Sequence, residues 1–272
     1  MKKYGVMVGK LLLYIAVYFV ILQASAALWK FVLMPLHPWF VENRLALIVL
    51  NDLVAIGVFY LMFRYGFKSN LFEEVKFTKM EKRPLYLSIF VGLMAGVFTA
   101  FFAQLPSIQS DQYQFHALFK ALNETNWYVF LGFVLVGNTF KELLFRGLLF
   151  NEVRKGFPLV ASLLLQGFLY GALFFYLNPP LTLFGAAGAI VFALVYVWFD
   201  SIWAPIVAQI FCQGIQYVFW NVPIASNSMT VLTSGMVVSA VLLVVGLYYS
   251  YKIRTDLAAQ ENLGAPERGI SA

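Results

Sequence analysis

Asn138-Thr139-Phe140-Lys141-Glu142-Leu143-Leu144-Phe145-Arg146-Gly147 places three ionisable side chains inside an otherwise apolar stretch. An ionised group deep in a bilayer is costly unless it pairs or faces a wet cavity, so each of the three needs a partner or a function. Spacing supplies part of the answer. Glu142 and Arg146 are four residues apart, stacked on one helix face with the acid N-terminal to the base, the better orientation for such a pair. Asn138 precedes Glu142 by the same step, so one helix carries a continuous polar face.

The sequence on either side is apolar for far longer than one helix needs. With 61% hydrophobic, 18% aromatic and 12% charged residues among 272, the chain has too little polar surface to coat a soluble globule. An all-α, polytopic membrane protein is expected. Spans of about 20 apolar residues suit a bilayer core, and eight of them can be placed, at 8–33, 45–66, 84–105, 127–151, 157–177, 181–199, 202–221 and 229–251. The first follows Met1-Lys2-Lys3 as a signal peptide would. Its apolar run is too long and lacks a small-residue cleavage site, so it reads as a retained helix. Residues 1–252 then form a single transmembrane domain. The tail 253–272, with Gly264, Pro266 and Gly269, reads as a cytoplasmic disordered segment.

The net charge of +6 does not point to nucleic acid, because the cations are distributed by topology rather than gathered into a patch. Of 19 Lys and Arg residues, fourteen fall in the segments on the side of the N-terminus, three (Lys30, Arg44, Lys120) on the other side, and two (Lys141, Arg146) within the membrane. By the positive-inside rule both termini are cytoplasmic, and a bacterial plasma membrane is the expected location. The single cysteine, Cys212, lies in an apolar helix and reads as a small core residue. The only histidines, His37 and His116, fall in outer segments, which leaves no metal site of the two-histidine type and no expected cofactor.

Further features follow in chain order. Gly5/Gly9 and Gly92/Gly96 have the spacing that lets membrane helices approach closely. Asn51 and Asp52 lie inside the second helix, where Asp52 either pairs with Lys141 or is reached by interfacial water. Residues 68–83 read as a solvated, lipid-facing loop. In the outer segment 107–126, apolar residues at 115, 118, 119 and 122 form a helical stripe, for anchoring on the membrane surface or for docking a partner. Gln166 and Tyr170 mark the fifth helix, and Gly185 to Ala189 keep the sixth slim. On the seventh, Gln209, Gln213 and Gln216 form a second intramembrane polar stripe of the kind that joins helices. The eighth has no amide or charged side chain across 229–251, with Thr230, Thr233 and Ser234 near its outer end, and reads as peripheral.

Over roughly 125–222, helices four to seven, the pattern resembles the CAAX protease and bacteriocin-processing (Abi) family of intramembrane proteases. Lys141-Glu142-Leu143-Leu144-Phe145-Arg146-Gly147 resembles the family's Glu-Glu-x-x-x-Arg block, matching at the second Glu, the Arg and the Gly, with Lys141 in place of the first Glu. The family's Phe-x-x-x-His falls on Tyr170-Gly171-Ala172-Leu173-Phe174, with Phe174 at the histidine position. Its His-x-x-x-Asn falls on Gln209 to Gln213, after Ser201-Ile202-Trp203-Ala204-Pro205.

In that family the first Glu and its histidine are thought to activate a water, and the later His and Asn to stabilise the oxyanion. A base must accept a proton and an oxyanion stabiliser must donate a hydrogen bond. Lys141 when protonated is no base, and Phe174 has no proton to exchange. Gln209 and Gln213 retain only the donating half. The resemblance therefore implies a catalytically inactive scaffold or regulator of another membrane or cell-envelope protein, such as a peptidoglycan enzyme or sensor kinase. Asn138, Gln166, Tyr170, Gln216 and Asp52 are the candidate binding residues. The alternative is an active endopeptidase that uses Glu142 as its base. Transport is disfavoured by the lack of inverted repeats or paired broken helices.

Overall fold

A computed structural model describes residues 2–110, 113–222 and 228–264. Helices stand at each of the eight expected places: α1 (Lys3–Leu36), α2 (Leu45–Phe67), α3 (Lys82–Ala103), α4 (Trp127–Gly156), α5 (Leu159–Phe175), α6 (Pro179–Phe199), α7 (Trp203–Asn221) and α8 (Met229–Gly264). No β-strand occurs among the described residues. Six of these helices are long and apolar enough to cross a membrane. Of the other two, α5 is short at 17 residues, and α7, with 19, has its hydropathy lowered by its three glutamines. The protein is an all-α, polytopic membrane protein.

The central element is α4. Of its most apolar window 67% is buried inside the protein, against 17% for both α1 and α8. Its residues Phe140, Leu143, Leu144 and Leu148 meet Tyr14 of α1 and Phe59 of α2 in the largest apolar cluster. Lipid offers apolar side chains as good a solvent as protein does, so helices in a membrane adhere where small residues let backbones come close. Gly92 and Gly96 of α3 do this against Ala208 and Cys212 of α7: a Cβ on either glycine would overlap the facing backbone. Gly5 and Gly9, with the same spacing, have open space there, so this signal is not used within the chain. The last helix, α8, packs along α3 and is largely exposed elsewhere, as a peripheral element should be. It extends to Gly264, across the start of the expected tail 253–272, whose residues 265–272 lie outside the described residues.

Two connecting segments differ from their sequence reading. Residues 68–83 are not simply a solvated loop. Leu71 and Val75, four apart, bury one face in the main core, and Val75 fills the space that Gly147 of α4 leaves by having no side chain. The segment is then tied to the start of α7. The Ile202 N–H donates to the Lys76 carbonyl (3.0 Å), the Ser201 hydroxyl to the Thr78 carbonyl (2.8 Å), and the Thr78 hydroxyl to the Asp200 carbonyl (2.8 Å), beside a Lys76–Asp200 ion pair.

At the opposite end, residues 115–123 form a short helix whose apolar stripe turns into the protein. Phe115 and Phe119 are buried against Phe102 and Phe184, with ring centroids 5.2–6.5 Å apart. Leu118 and Leu122 face an interior cavity. Aromatic side chains on α3 and α6 receive this stripe, which a one-dimensional pattern cannot reveal.

Candidate functional site

Two wide, π-helical segments of α4, Phe133–Gly137 and Leu143–Phe150, bracket ordinary helix at Asn138–Glu142, so Asn138, Lys141 and Glu142 lie on the ordinary turn and Arg146 on the second wide segment. Such widened turns are rare and often mark functional positions.

Asn138, Glu142 and Arg146 are all fully buried. Glu142 Oε1 accepts hydrogen bonds from Arg146 Nη1 (2.9 Å) and from Gln209 Nε2 across on α7. Arg146 Nη2 donates to the Ala189 carbonyl of α6 (3.1 Å). One turn back along α4, Asn138 Nδ2 donates to Gln213 Oε1 (2.9 Å). The two polar stripes therefore interlock in antiparallel register, each four-residue step along α4 matched by a four-residue step back along α7. The Arg146 guanidinium also lies over the rings of Tyr170 (5.3 Å) and Phe192 (5.8 Å), where ring quadrupoles favour a cation. Glu142 Oε2 and Arg146 Nε have no hydrogen-bond partner among the described residues.

Beside this cage is a mostly apolar cavity of about 410 Å³. Lys141, Gln209, Gln213 and Gln216 line it, as do Tyr170, Phe174 and Asp52. Glu142, Arg146 and Asn138 do not: they sit behind the wall, between helices. The sequence-nominated residues thus separate into a strut within the wall and a face on the cavity. Gln166 belongs to neither, being fully buried with both amide atoms lacking partners among the described residues. Phe174 packs against Tyr170 (4.8 Å between centroids) and Phe145 (5.4 Å), an aromatic patch where a proton-transfer group would have to stand.

Of the two readings of Asp52, an ion pair with Lys141 does not form. Asp52 Oδ1 instead accepts from the Asn51 side chain (2.8 Å), and the Lys141 ammonium lies over the Phe133 ring at 5.7 Å. Both groups face the same cavity from different helices. Of the described charged residues, one acid, Asp52, and one base, Lys141, line the cavity. Cys212 is buried and accepts from Gln216 Nε2 (3.2 Å), in keeping with a core role. Among the described residues no group of three His, Cys, Asp or Glu side chains could hold a metal.

Sequence reasoning missed three participants. The Ala189 carbonyl has no side-chain signature, and the cavity-facing Leu118 and Leu122 were masked by a pattern that also fits an interfacial helix. The Asn138–Gln213 and Glu142–Gln209 contacts had a usable signal in the equal spacing of the two stripes.

Residues 123–215 match the family described as Type II CAAX prenyl endopeptidase Rce1-like, over about a third of the 272-residue chain. No curated protein and no solved structure gave a match. The matched stretch runs from the start of α4 into α7 and contains the whole interlocked polar cage. Over residues 123–215 the chain is thus similar to the Rce1-like CAAX protease family.

Proposed function

We propose that this protein is a catalytically inactive relative of the intramembrane CAAX proteases, acting as a scaffold or regulator of another membrane-anchored protein. The observation that carries the reading is the division of the old motif. Glu142, the acid retained from it, is withdrawn behind the cavity wall and held by Arg146 and Gln209, whereas Lys141 faces the cavity. A base must come within hydrogen-bond reach of the water it activates. Glu142 does not line the space where a substrate would lie, and the two motif positions that do line it hold Lys141 and Phe174 in place of an acid and a histidine. A bacterial plasma membrane with both termini cytoplasmic, and an envelope enzyme or sensor kinase as the partner, complete the proposal.

The test is purification of the full chain in mild detergent with identification of what accompanies it, for the wild type and for Glu142→Gln. A stoichiometric membrane or envelope protein retained by both supports the scaffold reading. Loss of a cellular phenotype in Glu142→Gln with protein level and partner recovery intact would overturn it.

One observation favours a working endopeptidase: among the described residues Glu142 Oε2 has no hydrogen-bond partner, which leaves it free to accept one. On that reading the cage must open to bring Glu142 to the cavity, and Glu142→Gln would abolish cleavage of a prenylated peptide.

A further inference from the structure

Lys141 and Asp52 present an unresolved charge problem. They are 8% and 4% exposed and lie on the wall of one cavity, yet no ion pair within 4.0 Å joins them. Among the described residues the Lys141 ammonium donates no hydrogen bond, and Asp52 accepts only the one from Asn51. Charges removed from water are costly unless paired and hydrogen-bonded. An ammonium and a carboxylate that share a cavity without closing on each other are complementary to a group that carries both signs.

The rest of the wall narrows the choice. Gln213 uses its carbonyl oxygen to accept from Asn138, which leaves its NH₂ to donate, and Gln216 uses its NH₂ on Cys212, which leaves its oxygen to accept. Beyond these amides the cavity is walled by rings, among them Phe119, Phe174 and Phe184. The volume of about 410 Å³ falls in the range of small-molecule sites, about 300–1,000 Å³.

We propose that this cavity binds a zwitterionic single-chain amphiphile. Its phosphate meets Lys141, its ammonium meets Asp52, its hydroxyl or ester oxygens meet Gln213 and Gln216, and its acyl chain lies along the aromatic wall. The site does not rest on the loss of catalysis, because neither Lys141 nor Asp52 is part of the Glu142–Arg146–Gln209 cage. It would stand whether or not a protein partner is found.

The test is native mass spectrometry of the full chain in mild detergent, titrated with three probes that share one palmitoyl-length chain: a lysophosphatidylethanolamine, a lysophosphatidylglycerol and a primary alkylamine. The zwitterion is expected to bind about tenfold more tightly than either singly charged probe, equivalent to about 1.4 kcal/mol. Asp52→Asn should erase its advantage over the anionic probe, and Lys141→Met its advantage over the amine, while Lys141→Arg should keep both. Equal affinity for all three probes would reduce the cavity to a chain-binding slot and overturn the proposal. A wild-type preference for lysophosphatidylglycerol or the amine would overturn it too. Should a variant fail to accumulate, the wild-type ranking of the three probes still decides.

Discussion

Glu142→Gln and Arg146→Met, made singly and together, probe the cage most sharply. Both residues are fully buried, and Arg146 is matched by one carboxylate oxygen at 2.9 Å and one backbone carbonyl at 3.1 Å. Glu142→Gln keeps the side-chain shape and a possible contact with Gln209 but leaves the guanidinium without its counter-charge. Arg146→Met fills similar space and strands the carboxylate with a single amide donor. Breaking a buried pair from one side costs about 3–5 kcal/mol, whereas replacing both members is often close to neutral. Each single change should therefore destabilise by about 3–5 kcal/mol and the double by far less than the sum, with a coupling energy of about 3 kcal/mol or more. The assay is reversible unfolding in mixed detergent micelles, followed by circular dichroism for the wild type and the three variants. Additive single costs, or a Glu142→Gln protein more stable than wild type, would refute the strut. The latter is what removal of a strained catalytic acid tends to give.

Other consequences follow from the helix contacts. Gly96→Val puts a Cβ 2.9 Å from the Cys212 Cα and into contact with the Cys212 carbonyl and the Ile215 side chain, so α3 and α7 must separate; a loss of about 1–3 kcal/mol or more is expected in the same unfolding assay. Gln213→Leu removes one interhelical amide contact and should cost only about 0.6–2 kcal/mol, with Asn138→Leu adding little on top because the two share one hydrogen bond. Lys76→Ala breaks an ion pair whose side chains are 41% and 70% exposed, so a change within about 1 kcal/mol is expected, and it should shrink further at high salt.

The helices and the polar face of α4 were legible because both are matters of spacing: an apolar run of bilayer length, and polar residues at four-residue steps. The pairing of α4 with α7 was legible in part. Two stripes with equal steps can interlock, but the partner helix and the register depend on how α3, α4 and α7 pack together, which no single stripe encodes. The segment 68–83 was misread because its charged residues outnumber its apolar ones, although two apolar residues one turn apart suffice when Gly147 leaves a hole for Val75. The 115–122 stripe has the pattern of an interfacial helix, and only the rings of Phe102 and Phe184 decide that it folds inward. Spacing leaves Asp52 two readings, a pair with Lys141 or contact with water, and only the packing of α2 and α4 around one cavity shows that the pair does not form.

The most direct measurement is cleavage itself. Full-length protein reconstituted in vesicles is incubated with a farnesylated CAAX-type peptide, and release of the C-terminal tripeptide is followed by mass spectrometry for the wild type and for Glu142→Gln. The expected result is no product above the empty-vesicle blank from either protein. Tripeptide released by the wild type and lost in Glu142→Gln would contradict the inactive reading and make Glu142 a catalytic base.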